Sequence, residues 1–280
     1  MLRILLFLAT NIAVLFMAAI AMAVLTALGI IPPNAPYVQM LIWSALFGFG
    51  GSIFSLAISK WVAKRSTRAH VIESPSNDIE RWLITTVKRQ AEQAGIGMPE
   101  VAVFDSPDPN AFATGMFRNS ALVAVSTGLL RLMNKQEVEA VLGHEISHIA
   151  NGDMVTLTLI QGVLNTFVIF VAHIISSQFE RGRFMIYIAL QMAFGVLASM
   201  IVAWFSRRRE FRADAGGADL EGAGAMASAL NRLRAMRDAP SQLPKELNAF
   251  GIRGGGMLKL MATHPPLELW GRGVYSAGSR

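Results

Sequence analysis

The chain has 280 residues, 53% of them hydrophobic and only 16% charged, with a mean hydropathy of +0.43. That is too apolar for a purely soluble domain and points to a membrane protein. There is no cysteine, which excludes disulfides and cysteine metal ligands, and the net charge of +6 comes from basic residues beside apolar runs, read as topology signals and not as nucleic-acid contacts.

Four apolar segments are long enough to span a bilayer: about 4–31, 38–58, 154–176 and 184–205. The first runs past the cleavage-like Ala19-Ile20-Ala21 to Ile31, so an uncleaved span is expected, joined to the second by the Pro32-Pro33-Asn34 turn. Arg3, the set Lys60, Lys64, Arg65 and Arg68, and the run Arg207-Arg208-Arg209 all fall on one side of a four-span topology. Both termini and most of the polar chain are therefore expected in the cytoplasm. Gly48, Gly50 and Gly51 read as sites of close helix packing. His173, near the far end of the third span, is expected to snorkel or to bond a neighbouring helix. The organisation is thus 1–62, two transmembrane helices; 63–153, the first part of a polar domain; 154–205, two inserted transmembrane helices; 206–280, its second part.

Within the polar chain, Val101–Phe104 and the run 121–126 (Ala-Leu-Val-Ala-Val-Ser) read as strands, and the segment 110–115 between them as a possible sheet edge that a peptide could extend. A helix follows. Asn134 and Glu137 make a capping-box pattern, Val138, Val141, Leu142, Ile146 and Ile149 an apolar stripe, and Asn151-Gly152 a stop. It carries His144-Glu145-Ile146-Ser147-His148. Histidines four residues apart stand about one turn from each other on one helix face, where both can bind one zinc ion, and the glutamate between them can take a proton from water. A catalytic site needs a third ligand and keeps a fourth position open. Downstream candidates are His264 and Glu210. Glu210 and Asp214 are again four apart, so one carboxylate could bind the metal while the other holds the N–H of a ligating histidine. Placement favours Glu210: the third span begins just after His148 and the fourth ends just before Glu210, so a helical hairpin between them would bring the two together. Both ligand sets would lie within roughly 10 Å of the membrane surface, at about 1.5 Å per helical residue. The Gly-rich stretch 251–256 reads as a loop; phosphate-binding spacing is absent.

These motifs, with the opening Met-Leu-Arg-Ile-Leu-Leu-Phe-Leu-Ala-Thr-Asn, the Asn110-Ala-Phe-Ala-Thr-Gly115 segment and Thr263-His264-Pro265-Pro266, resemble the HtpX membrane metallopeptidases, relatives of the CAAX prenyl proteases, over essentially the whole chain. The resemblance implies one zinc held by His144, His148 and Glu210, with Glu145 as catalytic base. It also implies quality control of membrane proteins at the cytoplasmic face of a bacterial inner membrane. His264 is the expected auxiliary group at the tetrahedral intermediate. The arginine that the family carries six residues beyond that histidine is Trp270 here, with Arg272 the nearest substitute. The expected architecture is α+β: a mainly helical integral membrane protein with four transmembrane helices and a cytoplasmic zincin-like metalloprotease domain. Its expected partners are protein or peptide substrates, membrane proteins among them, and the lipid bilayer. Two other readings stand beside it: a narrow-specificity peptide-processing protease, and a non-catalytic metal-binding membrane scaffold, against which Glu145 argues. Ligand type does not separate zinc from manganese or cobalt.

Overall fold

The computed structural model describes Leu28 and residues 36–238. The elements in chain order are α1 (Pro36–Thr67), β1 (His70–Val71), α2 (Asp78–Gln93), β2 (Glu100–Phe104), β3 (Ala111–Thr114), β4 (Leu122–Ser126), α3 (Thr127–Leu132), α4 (Lys135–Asn151), α5 (Asp153–Ser177), α6 (Arg183–Glu221) and α7 (Ala223–Asp238), with a short 3₁₀ turn at Arg118–Ser120. The chain divides into two compact units, Met1–Ala57 with Val155–Val202 and Ile58–Met154 with Ala203–Arg280.

In the first unit, α1, α5 and α6 are the helices long and apolar enough to cross a membrane among the described residues. The expected span at 4–31 lies outside these residues, Leu28 excepted. Large apolar side chains along α5 and α6, including Val163, Phe167, Met192 and Leu197, are exposed, as lipid-facing side chains are. Gly48 is a packing site as expected: a Cβ there would lie 2.5 Å from the Thr166 backbone nitrogen and 2.8 Å from the Gly162 carbonyl. At Gly51 a Cβ would meet nothing within 4 Å among the described residues. His173 accepts from the Arg183 guanidinium at 3.0 Å and sets its ring edge-on to Tyr187, tying α5 to α6.

The second unit is built on a four-stranded sheet of order β1-β2-β4-β3, in which β2 and β4 run parallel while β1 and β3 pair antiparallel. β4 is buried along its whole length, and its alternation sends Val123 and Val125 to one face and Leu122 and Ala124 to the other. On the first face Leu83 and Val87 of α2, Val138, Leu142 and Ile146 of α4, and Met226 and Leu230 of α7 close one apolar core. β3 is an edge strand, as the sequence suggested, and it packs against α4.

The helices begin and end where the local chemistry directs. Asn134 and Glu137 form the full capping box of α4, and Gly152 ends it in the left-handed conformation at φ 68°. The helix does not stop where the fourth apolar segment ends near Phe205: α6 continues unbroken to Glu221. No glycine or proline interrupts it between Val196 and Ala215, and the Ser206–Asp214 run consists of helix-compatible residues. Glu210 and Asp214 therefore sit in the body of a helix and are buried, not at a solvated helix start.

α6 meets α4 through glycines. A Cβ at Gly217 would lie 3.0 Å from the His144 backbone nitrogen, and one at Gly216 would lie 2.9 Å from the Ser147 Cβ. Replacing Gly217 by leucine is expected to force the two helices apart and to destabilise the protein by about 1–3 kcal/mol, the usual scale for overpacking. A melting curve of the detergent-purified variant, several degrees below wild type, checks this.

Candidate metal centre

The first turn of the site is set by helix periodicity. His144 and His148 stand one turn apart on α4, their rings meeting edge to face with centroids 4.6 Å apart. From the neighbouring α6, Glu210 brings its Oε2 to 3.4 Å from the His144 Nε2 and 3.6 Å from the His148 Nε2. One ligand atom from each of the three residues lies within 4.8 Å of the others, and all three residues are buried.

Each imidazole is oriented from behind by a carboxylate. The His144 Nδ1–H donates to Asp214 Oδ1 at 2.9 Å, and the His148 Nδ1–H donates to Asp153 Oδ2 at 2.7 Å. A carboxylate oxygen can only accept here, so the proton of each neutral ring sits on Nδ1 and the lone pair on Nε2. Those two Nε2 atoms face each other at 3.1 Å. Two lone pairs at that distance repel unless a cation lies between them. Ligand atoms about 2.0–2.1 Å from a tetrahedral zinc are separated from one another by about 3.3 Å, from simple tetrahedral geometry. The three observed separations of 3.1, 3.4 and 3.6 Å bracket that value. The donor set therefore fits a divalent metal of the zinc type.

Glu145 lies between the two histidines in sequence and is partly exposed, while its neighbours His144 and Ile146 are buried. It is the carboxylate of this turn that solvent reaches, which suits a proton acceptor more than a ligand.

The structure brings together His144, His148, Glu210 and Asp214, all four named from sequence. Asp153 was missed. Its signal was visible in hindsight: an acid directly after the helix-stopping glycine, where the left-handed Gly152 turns the chain back toward the last turn of α4. His264, Trp270 and Arg272, and the 251–256 stretch, lie outside the described residues.

Burial pushes both imidazoles toward lower pKa, but the surrounding acids outweigh it. Asp214 and Glu210 hold His144 well above the ordinary value of 6.5, and Asp153 and Glu210 raise His148. In the metal-free protein this pairing is fully stabilising below the unfolded pKa and fades as pH rises through the raised folded values. Metal binding runs the other way, because the ion must displace protons from the rings. Zinc titrated into metal-free protein at neutral pH is therefore expected to release protons. Calorimetry in buffers of different ionisation enthalpy should show a buffer-dependent heat that shrinks as pH is raised, and zinc should be lost on acidification.

Two histidines of an HExxH helix converging with a carboxylate from a second helix define the class of metal-dependent peptidases. A model of peptidase family M48 matches residues 77–269. The protein named Protease HtpX of Thioalkalivibrio sulfidiphilus is 56% identical over 283 residues, covering 95% of this chain and 96% of its own. That of Pseudoalteromonas atlantica is 54% identical, covering 96% and 97%. The crystal structure of Ste24p from S. mikatae matches with a TM-score of 0.65 at 16% identity, covering 97% of this chain and 64% of that longer one, a likeness of fold. The chain belongs to peptidase family M48, and it is a multi-pass membrane metalloprotease.

Proposed function

We propose that this protein is a zinc endopeptidase of a bacterial inner membrane that cuts misfolded or damaged membrane proteins at cytoplasmic segments. The observation that carries the reading is the convergence of His144, His148 and Glu210 within 4.8 Å beside a solvent-reached Glu145. Four spans, with 4–31 as the first, put both termini and the polar pieces 63–153 and 206–280 in the cytoplasm. The two pieces form one catalytic domain, a reading supported by the apolar core they share across α2, β4, α4 and α7.

His144, His148 and Glu210 hold the zinc, and Asp214 fixes the His144 ring. When bound, the ion polarises the scissile carbonyl and acidifies a water. Glu145 accepts the proton of the attacking water and passes it to the leaving amine. The substrate backbone adds as a strand to the outer edge of β3, whose inner edge is taken by β4 and which packs against the histidine helix. His264 is the auxiliary donor to the developing oxyanion. The names carried by the relatives support proteolysis of the HtpX kind over a narrow peptide-processing role.

The test is cleavage of casein by detergent-purified, zinc-loaded protein. Glu145→Gln removes the base and is expected to slow cleavage by about 10²–10⁴-fold, the usual contribution of general-base catalysis, with zinc content unchanged. Equal fragment yields from both proteins would remove Glu145 from the chemistry.

A further inference from the structure

The carboxylate behind His148 is held unlike the one behind His144. Asp153 is fully buried, and burying a carboxylate is costly unless its oxygens are paired. Its Oδ2 accepts from the His148 Nδ1–H at 2.7 Å, and its Oδ1 accepts from Arg212 Nη2 at 3.2 Å. Its backbone carbonyl accepts from Arg209 Nη1 at 3.0 Å, while the other arm of Arg209 donates to Ser206 Oγ at 3.0 Å. Arg209 and Arg212 are three residues apart on α6, hence on one face, and they flank Glu210 in sequence. Asp214, by contrast, has its second oxygen, Oδ2, buried without a hydrogen-bond partner among the described residues.

We propose that Asp153 is a positioning residue for the metal centre: clasped by Arg209 and Arg212 of the Glu210 helix and bonded to His148, it locks the histidine helix and the glutamate helix into metal-binding register. This rests on His144, His148 and Glu210 being the metal ligands. Glu210 and the histidines sit on different helices, and nothing covalent fixes their separation within a range of 62 residues. An ion tolerates displacement of its ligands by only a few tenths of an ångström. Asp153 links the two helices at the ligands themselves. One side of its carboxylate sets the His148 ring, and the other side is tied to the helix that presents Glu210. The Arg209 bond to the Asp153 carbonyl anchors the backbone beneath the same carboxylate, so the residue can neither swing nor slide.

A plainer role is available to Asp153. It is the first residue of α5, where any acid favours the positive end of the helix. That role leaves zinc affinity alone: losing the charge at the helix start weakens the helix, not the metal site. Asp153→Asn separates the two. It keeps size, removes the charge, and replaces one accepting oxygen by an NH₂ that must face a donor, either His148 or Arg212. Arg212→Gln is the second variant: the Arg212 side chain is 61% exposed, so the fold tolerates its loss.

The experiment measures zinc affinity of full-length, detergent-purified protein by competition with a chromophoric chelator, and the visible spectrum of its cobalt form, with circular dichroism confirming the fold. Asp153→Asn is expected to bind zinc about 10–100-fold more weakly, the usual effect of removing a histidine's carboxylate partner. Arg212→Gln is expected to weaken it several-fold, and both should alter the cobalt spectrum. The double variant should add little to Asp153→Asn, because both act through the same ring. Wild-type affinity and cobalt spectrum in either folded variant would overturn the proposal, and Arg212→Gln decides alone if Asp153→Asn does not fold. His148→Ala distinguishes the two layers. Zinc lost there but kept in Asp153→Asn and Arg212→Gln sinks the clasp only, whereas zinc kept at wild-type affinity in His148→Ala sinks the metal site and the clasp together.

Discussion

Two imidazole lone pairs facing each other at 3.1 Å are the constraint on which the rest of the structure depends. Each ring is turned by a carboxylate on its far nitrogen, so the repulsion between the two Nε2 lone pairs is relieved only by a positive charge between them, a proton in the metal-free protein or a metal ion in its place. The arrangement is unfavourable for two neutral rings alone and favourable around a shared cation. Glu210 completes the charge balance, and the same acids that make the rings basic make them strong ligands. A buried polar cluster of this kind is costly wherever its members are left unpaired, so the packing around it has to hold the partners in place.

That demand reaches back into the packing. The ligands come from α4 and α6, and they meet only because glycine takes the contact positions. Gly217 lies against the His144 backbone and Gly216 against Ser147. A pair of larger residues there would part the helices by more than a metal site allows. On its other side α4 is held by the apolar core under β4, so the histidines are fixed from below by Leu142 and Ile146 and from the side by the glycine seam. The edge strand β3 lies beside the same helix. Among the described residues β3 pairs on one side only, which is the arrangement that the proposed strand addition of substrate requires.

Much of this was legible in the residues. The capping box at Asn134, the αL stop at Gly152 and the His144–His148 spacing are local patterns with local causes, and each appears where the sequence put it. The Glu210–Asp214 pair was legible because i,i+4 spacing holds on any helix. The burial of that pair was not, since its run of arginines reads as a solvated surface until α4 is laid against it. Asp153 was hidden for a related reason: its partner His148 is five residues back, a spacing that matches no helical face and needs the left-handed turn at Gly152. The unbroken length of α6 also escaped the hydropathy reading, because polarity changes near Ser206 while helix propensity does not. Gly48 has α5 against it, as its place in an apolar run suggested.

The most direct test of the shared-cation account is X-ray absorption at the zinc edge of the purified, zinc-loaded protein. The account requires a single low-coordination shell of nitrogen and oxygen at about 2.0–2.1 Å, with the outer scattering of two imidazoles, and a change in that shell on Glu210→Ala. A six-oxygen shell without imidazole scattering, or a spectrum that Glu210→Ala leaves untouched, would contradict it.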